Sequence, residues 1–427
     1  MKLRGMFAVS LFIMLLLGCA ERRQQGVEQI EFWGLGREGE VVADLLPEFE
    51  RRNPGIRVTL QQIPWIAAHE KLLTAHVGEA TPDLAQMGNT WIPEFVAVGG
   101  LSDLGPFAKA SKTIDGGRDD FPGVWATNVV GDVLYGIPWY VDTRVMFYRS
   151  DILAAVGYPE FPRTWSAWMD AMTRIQRERK CRFGILMPTN EFEPIEVLAL
   201  SNGATLLNAD GTRGAFQEPA FREAFDFYVD IFHRGLAPVV ANTQVANLYQ
   251  QFSQGEFAMH ITGPWNVGEF KRRLPPEMNG KWATAPLPAR DASAPTGIST
   301  PGGSSLVIFE TSRHKAAARK LIEFLSEPAQ QVRFFELTGD LPARRSAWKA
   351  PALANDPYFP AFREQLERVV PLPKIPEWEQ IATSIFEHGE SAIRRATTTA
   401  AALADLDRTT DSILTKRRWV IAQKAAR

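Results

Sequence analysis

The stretch VEQIEFW, residues 27–33, opens the pattern that decides the fold, because apolar and polar residues alternate in it as in a half-buried strand. The glycine-rich residues 34–39 after it predict a loop. The next segment alternates between the two element types: a helix over 40–52, a strand over 56–63, a helix over 69–77 and a short strand over 84–87. Strands that alternate with helices in this way indicate a mostly parallel α/β layer.

Later segments contain the same two kinds of element. Residues 135–148 (YGIPWYVDTRVMFY) form a long extended run, in which Pro138 disfavours a helix. Thr164 is expected to cap a helix within 162–179. Further predicted elements are helices over 221–232 and 312–325, strands over 257–261 and 305–309, and a helical region from residue 377 onward.

Composition excludes several classes of protein. The chain has 427 residues, 45% hydrophobic and 22% charged, which is close to the globular average and predicts two or three domains. It has 47 Lys and Arg against 49 Asp and Glu, whereas a nucleic-acid-binding protein needs a basic face. We therefore expect no nucleic-acid partner. Tryptophan is unusually common, with 12 residues against 7 tyrosines.

The first twenty residues predict the compartment. Lys2 and Arg4 precede an apolar run over 6–17, which is typical of a secretory signal peptide and too short to span a bilayer. The run ends in LLGC at 16–19, which resembles the lipobox of bacterial lipoproteins. The alternative is a plain signal peptide followed by a coincidental cysteine.

The lipobox resemblance implies a signal peptide over 1–18, lipidation of Cys19 as a membrane anchor, and a polar tether over 19–26. The protein is then exported and held on the cell envelope, on the periplasmic side or at the cell surface. The other cysteine, Cys181, has no partner for a disulfide, and we expect it to be buried in a core.

Motifs for nucleotide, metal and hydrolase sites are incomplete. Gly34-x-Gly36-x-x-Gly39 lies between a strand and a helix, but the second strand ends Gln61-Gln62-Ile63, without the acidic residue that holds a ribose. His69-Glu70 lacks the second histidine of a zinc-protease helix, since residue 73 is leucine. We therefore predict no cofactor and no metal. Gly302-Gly303-Ser304-Ser305 lacks the final glycine of a nucleophile elbow.

Six segments between about residues 28 and 390 carry a resemblance to a known family. Each is common alone, but their order and spacing are specific. They are IEFW at 30–33 with Phe49 and NPGI at 53–56; TPDL at 81–84 with WIPEF at 91–95; YGIP at 135–138 with Asp142-Thr143 and Tyr148-Arg149; Pro162-x-Thr164-Trp165; Gly255-x-Phe257-Ala258-Met259 with Gly263-Pro264-Trp265; and Gly302-Gly303 with Leu306-Val307-Ile308. Together they resemble family 1 extracytoplasmic solute-binding proteins of ABC importers, a group that includes maltose and trehalose binders.

This resemblance implies an α/β fold of two lobes joined by crossing hinge strands, with a ligand cleft between the lobes. It places the first lobe at 27–138 and 296–340, and the second at 139–295 and 341–427. The implied partners are a sugar or oligosaccharide and an ABC permease, whose transmembrane subunits work with an ATPase. The protein is expected to be a monomer, and closure around the ligand would be a hinge motion.

Residues that follow strands are the candidates for the ligand site, because clefts in α/β proteins open at strand ends. By the resemblance, Trp265 matches the family's stacking aromatic. Tyr140 and Asp142 match a pair that meets sugar hydroxyls where the chain crosses between lobes. Asn89 lies where many relatives have a carboxylate, and Trp91 follows it.

Four further residues complete the predicted ligand site. Glu38 lies in the first predicted loop, and Gly303 allows the backbone to approach a ligand closely. Trp65 and Arg344 are the other two. Many relatives have an aromatic residue where this chain has Ser304, and this departure leaves the size of the sugar open. No residue is predicted to be catalytic.

The excess of tryptophan fits a sugar, because a rigid aromatic surface matches the apolar faces of a pyranose and carboxylates bind its hydroxyls strongly. The predicted function is therefore a non-catalytic sugar receptor. Three alternatives stay open: a receptor for another polar solute such as glycerol-3-phosphate, an exported glycan hydrolase, whose carboxylate pair cannot be recognised among scattered acids, and an adhesive role at the envelope.

Overall fold

The computed structural model describes residues 26–425, and twelve strands lie within that part of the chain. Most are short and buried, as expected for sheets covered by helices on their faces. They are β1 (Glu28–Leu35), β2 (Ile56–Ile63), β3 (Leu84–Gly88), β4 (Val129–Val130), β5 (Val133–Leu134), β6 (Gly136–Asp142), β7 (Val145–Arg149), β8 (Phe183–Leu186), β9 (Phe257–Thr262), β10 (Trp282–Ala285), β11 (Gly302–Ile308) and β12 (Leu341–Pro342).

Helices make up most of the remaining ordered backbone, and many start with a proline in their first turn, where its missing N–H costs nothing. They are α1 (Gly36–Val41), α2 (Leu46–Arg52), α3 (Trp65–Val77), α4 (Ile92–Ala97), α5 (Gly105–Ala110), α6 (Pro122–Thr127), α7 (Ser150–Ala155), α8 (Trp165–Arg177), α9 (Glu193–Ser201), α10 (Pro219–His233), α11 (Leu248–Ser253), α12 (Trp265–Arg273), α13 (Lys315–Leu325), α14 (Pro328–Thr338), α15 (Pro351–Ala354), α16 (Pro360–Leu366), α17 (Trp378–Ile393), α18 (Thr399–Ile413) and α19 (Thr415–Ala425).

A six-stranded sheet with the order β12-β6-β11-β3-β1-β2 forms the first lobe. β1 runs parallel to β2 and to β3, as the alternating sequence pattern predicts. β11, which comes much later in the chain, inserts antiparallel between β3 and β6. The sheet is therefore mixed and not mostly parallel. The other half of its strands, β6, β11 and β12, come from chain segments that lead into the second lobe or return from it.

A four-stranded sheet with the order β10-β7-β9-β8 forms the second lobe. The amphipathic helices α8 and α10 turn apolar faces toward its core, and the Thr164 side chain caps α8 by accepting a hydrogen bond from the Ala167 N–H, as predicted. α17 and α18 pack on α10, so the C-terminal helices belong to this lobe.

The chain crosses between the two sheets at short connections. The predicted extended run over 135–148 is two strands, since β6 ends at Asp142 and β7 begins at Val145, in the other sheet. The return crossing covers 286–301. The predicted division at 138/139 therefore falls inside β6, and the one at 340/341 falls before β12, which still belongs to the first sheet.

The predicted loop over 34–39 is mostly helical. β1 continues to Leu35, and α1 begins at Gly36. The two flanking glycines of the motif touch, because a Cβ on Gly39 would lie 2.4 Å from the carbonyl carbon of Gly34. The glycine pattern thus serves the close packing of α1 on β1. The predicted helix over 40–52 is divided into α1, a 3₁₀ turn and α2.

The predicted lipobox with Cys19 lies outside the described residues. Within 26–425, none of the helices combines the length and apolar character that a bilayer span requires. The same part of the chain contains no group of three or more histidine, cysteine or carboxylate side chains placed to hold a metal ion.

Cys181 gives a first test of the packing. Its side chain is in the core of the second lobe, and burial raises the pKa of the thiol to about 12. Because the thiolate is the reactive form, we expect no alkylation of Cys181 by iodoacetamide at pH 8 in the native protein. Mass spectrometry of the peptide that contains Cys181 measures this, with protein unfolded in guanidinium as the control for full labelling. Rapid native labelling would contradict the buried placement.

Candidate functional site

A cavity of about 510 Å³ lies between the two lobes at the ends of their strands, a size usual for a small-ligand site. Both lobes contribute aromatic and acidic side chains to its wall. The residues that line it are Glu38, Trp65, Gly88, Asn89, Thr90, Trp91, Tyr140, Asp142, Arg144, Phe192, Glu193, Trp265, Thr300, Pro301, Gly302, Gly303, Asp340, Leu372 and Glu379.

Another hollow of about 560 Å³ lies on the second lobe, between α11 and the residues after α12. Its lining is mostly polar and contains no aromatic ring. The interlobe cavity is the better candidate, because it combines aromatic surface with convergent polar groups at strand ends.

Glu38 is the centre of a hydrogen-bonded group on the first lobe. It lies in the first turn of α1, where its carboxylate accepts from the Trp65 indole N–H at 3.0 Å and from the Tyr140 hydroxyl at 3.3 Å. Tyr140 is buried, and the Ser304 hydroxyl donates to its oxygen at 3.1 Å. Burial and the charge of Glu38 raise the pKa of Tyr140 well above 10, so its hydroxyl stays protonated and donates.

Two tryptophans on the first lobe meet edge to face. The ring centroids of Trp65 and Trp91 are 5.6 Å apart, and the ring centroid of His69 is 5.1 Å from that of Trp91. His69 Nε2 is 2.7 Å from the Glu94 carboxylate, so this histidine is held between Glu94 and the ring of Trp91. The ring of Trp91 also lies against Gly88. The two indoles thus form a fixed surface at one side of the cavity.

Asp142 belongs to an ion-paired group where the lobes meet. Arg144 donates to Asp142 at 2.9 Å and to Glu193, the first residue of α9, at 2.6 Å. Burial raises the pKa of Asp142, and the guanidinium opposes that effect. The Arg144 guanidinium also lies 4.8 Å from the ring centroid of Trp265, which begins α12 and is 44% exposed. Trp265 is therefore an open aromatic surface on the second lobe.

Gly303 and Asn89 form the part of the wall where β11 passes β3. Gly303 has φ +93, and a Cβ there would lie 2.4 Å from the Tyr140 carbonyl oxygen, so only glycine fits. The Asn89 side chain donates to the Gly302 carbonyl at 3.1 Å and accepts from Ser305 at 2.8 Å. Its amide supports the loop, in addition to lining the cavity.

Arg344 does not reach the cavity, which corrects its prediction as a site residue. It follows β12 and is buried, and it forms an ion pair with Asp119 at 3.0 Å and donates to the Thr113 carbonyl. A buried guanidinium with these partners has a structural role. The other eight predicted residues line the cavity together, and their contact with a ligand stays a prediction.

Four charged residues of the cavity wall were not predicted. Arg144 lies two residues after Asp142, so the crossing itself could have indicated it. Glu193 and Glu379 start helices of the second lobe far away in sequence, and Asp340 lies directly before β12. The sequence carries no local signal for these three, because only the fold brings them to the cavity.

Comparisons with known proteins agree with this architecture. The sequence profile of the bacterial extracellular solute-binding protein family matches residues 34–332. The structure is similar to that of the sugar-binding protein MalE from Xanthomonas citri, with a TM-score of 0.90 and 47% sequence identity over 92% of this chain and 99% of that one. The two-lobe fold predicted from sequence is thereby confirmed.

Two more distant relatives are similar over nearly the whole chain. An ABC transporter solute-binding protein from Thermotoga lettingae, solved with α-D-tagatose, has a TM-score of 0.73 and 25% identity, covering 91% of this chain and 100% of that chain. An uncharacterized lipoprotein of Streptomyces antibioticus is 26% identical over 416 residues, which is 91% of this chain and 88% of the relative.

Asp340 gives a pH-dependent test of the cavity wall. Burial and the charge of Glu38 raise the pKa of Asp340 to about 8, against about 3.9 when unfolded. Between these values the native state binds a proton that the unfolded state lacks, so this group lowers stability as pH rises. We expect Asp340→Asn to stabilise the protein at pH 8 and to have little effect at pH 4.5, measured by urea unfolding.

Asp291→Asn is the matched control, because Asp291 is exposed and its hydrogen bonds with Ser293 lower its pKa. That variant should not gain stability at pH 8. An equal gain for Asp340→Asn at both pH values would contradict the inference that burial and the charge of Glu38 raise the pKa of Asp340.

Proposed function

Since the chain belongs to the bacterial extracellular solute-binding protein family, we propose that it is the receptor of an ABC importer and binds a sugar or short oligosaccharide between its lobes. The cavity supports this proposal most directly, since it places open tryptophan faces beside carboxylates at the strand ends. The family and its relatives bind solutes and are not enzymes, so the ligand is released unchanged.

The chemistry of the wall suits a pyranose. Trp265, Trp65 and Trp91 offer aromatic surface to its apolar C–H faces. Glu38 and Asp142 offer carboxylate oxygens to its hydroxyls, and such charge-assisted hydrogen bonds are stronger than neutral ones. A site that pairs hydroxyls in this way also rejects analogues that lack them.

The partners follow from this role. The receptor delivers its sugar to the permease, whose transmembrane subunits import it at the expense of ATP hydrolysis. We further propose that the protein acts as a monomer and is tethered by a lipid on Cys19. The lipobox in the sequence supports the anchor, and so does the likeness to a Streptomyces lipoprotein.

Trp265 provides the main test of ligand binding. We expect Trp265→Ala to weaken saccharide binding about tenfold to a hundredfold, because a tryptophan that a ligand covers contributes a large share of the binding energy. Isothermal titration calorimetry of ligand-free protein against maltose, trehalose and a panel of other mono- and oligosaccharides measures the loss.

Trp419→Ala is the matched control, since Trp419 is 63% exposed on α19 and lies outside the cavity. It should bind as the wild type does. Absence of binding to every saccharide by the wild-type protein would refute the proposed function itself.

Charge separates this function from a receptor for phosphate esters. The cavity wall has five carboxyl groups and one guanidinium, Arg144, which two of those carboxyl groups already engage. Because no free cation of the wall faces the ligand, we expect glycerol-3-phosphate and glucose-1-phosphate to bind at least about tenfold more weakly than the best neutral saccharide. Competition calorimetry tests this, and tighter binding of either ester would favour the alternative receptor.

A further inference from the structure

Arg144 lies at the point where both crossings between the lobes run side by side. It follows β6 and precedes β7, and its backbone N–H donates to the Ser299 hydroxyl at 3.2 Å. The neighbouring Thr143 hydroxyl donates to the Thr300 carbonyl at 3.0 Å. The backbone of Arg144 is thus fixed to the return crossing.

The guanidinium of Arg144 contacts three groups that come from both lobes. Asp142 ends a strand of the first lobe, whereas Glu193 and Trp265 begin helices of the second. The two ion pairs are 2.9 and 2.6 Å long, and their three side chains are each about one-fifth exposed. A planar guanidinium can hold two carboxylates at its edges while its flat face lies against an indole, a geometry that the compact ammonium of a lysine does not reproduce.

Two contacts bear on the orientation of the Trp265 ring, one with the Arg144 guanidinium and one with Gly263. Trp265 is the first residue of α12 and 44% exposed, so the core of the second lobe does not enclose its ring. Within the described residues, Arg144 is the cation that lies against this ring, at 4.8 Å from its centroid. The other side of the restraint is glycine backbone, since a Cβ on Gly263 would lie 2.0 Å from Cζ3 of Trp265. A half-exposed side chain that lost the guanidinium contact would have more rotamers open to it.

We propose that Arg144 is a positioning residue that fixes the Trp265 ring and the Asp142 carboxylate in one geometry across the hinge, so that a ligand meets both at once. The inference rests on the proposed function for its effect on binding. Its effect on the Trp265 ring needs no ligand at all. Preorganisation of this kind lowers the cost of ordering the site when a ligand binds.

The surrounding charges predict a pH signature as well. Without the guanidinium, Asp142 would face Glu193 with no cation between them, so the pKa of Asp142 would rise further. Loss of binding on acidification should then begin at a higher pH in a variant that lacks the cation. The titratable groups around Arg144 are Asp142 on β6, Glu191 before α9, Glu193 and Glu196 on α9, and His260 on β9.

The first experiment reads the Trp265 ring directly, in ligand-free protein labelled with 5-fluorotryptophan. Fluorine NMR assigns the Trp265 resonance by its loss in Trp265→Phe. We expect Arg144→Met to shift and sharpen this resonance, because the freed ring averages over rotamers. Arg290→Met is the matched control, since Arg290 lies 5.7 Å from the Trp165 ring centroid, pairs with Glu223, and is outside the cavity. An unchanged Trp265 resonance in Arg144→Met would overturn the proposal.

The second experiment is a double-mutant cycle on binding, with maltose and trehalose as probes. Arg144→Met should weaken binding about tenfold in the wild-type background but much less in Trp265→Ala, since the ring it positions is then absent. Losses that simply add would overturn the coupling.

Arg144→Lys, which keeps the charge, replaces the methionine variant if that variant does not fold. It should restore the pH profile but not the ring position. If wild type binds neither sugar, the proposed function fails for them while the NMR result still decides the role of Arg144.

Discussion

The insertion of β11 between β3 and β6 is the constraint on which the rest of the structure depends. It places Gly302 opposite Asp142 and Ser304 opposite Gly88, so that three strand ends from distant parts of the chain meet at one edge. Gly303 passes the Tyr140 carbonyl at a distance that only glycine permits. The cavity lies at this edge, so the part of its wall that these strand ends form belongs to the sheet.

The same strand explains why the molecule has two lobes and yet one site. β6 leads out of the first sheet and β11 leads back, so the crossings on either side of them, at residues 143 and 300, must lie close together. Closely spaced crossings permit rotation of one lobe against the other while they limit translation. The ion pairs of Arg144 lie beside these crossings.

The sequence predicted the parts of this arrangement that depend on local pattern. Trp265 follows a predicted strand, and a side chain just beyond a buried strand reaches the sheet edge in any α/β fold. Tyr140 and Asp142 lie within a predicted extended run, and the family resemblance singled them out. Asp340 and Glu379 could not be found this way, since their approach to the cavity depends on how distant segments pack. Arg344 was misassigned for a similar reason: a charged residue near a strand end can equally be buried against a partner such as Asp119.

The two lobes contribute to the cavity in unequal ways. On the first lobe, Glu38, Trp65 and Tyr140 are already hydrogen-bonded to one another, so a ligand that meets them finds a surface that needs little further ordering. The second lobe offers Trp265, which is 44% exposed and whose ring lies against Gly263 and the Arg144 guanidinium. The two walls therefore differ in how much ordering a ligand would require of them. In such a receptor the ligand stabilises the closed state by the difference in contacts between the two states.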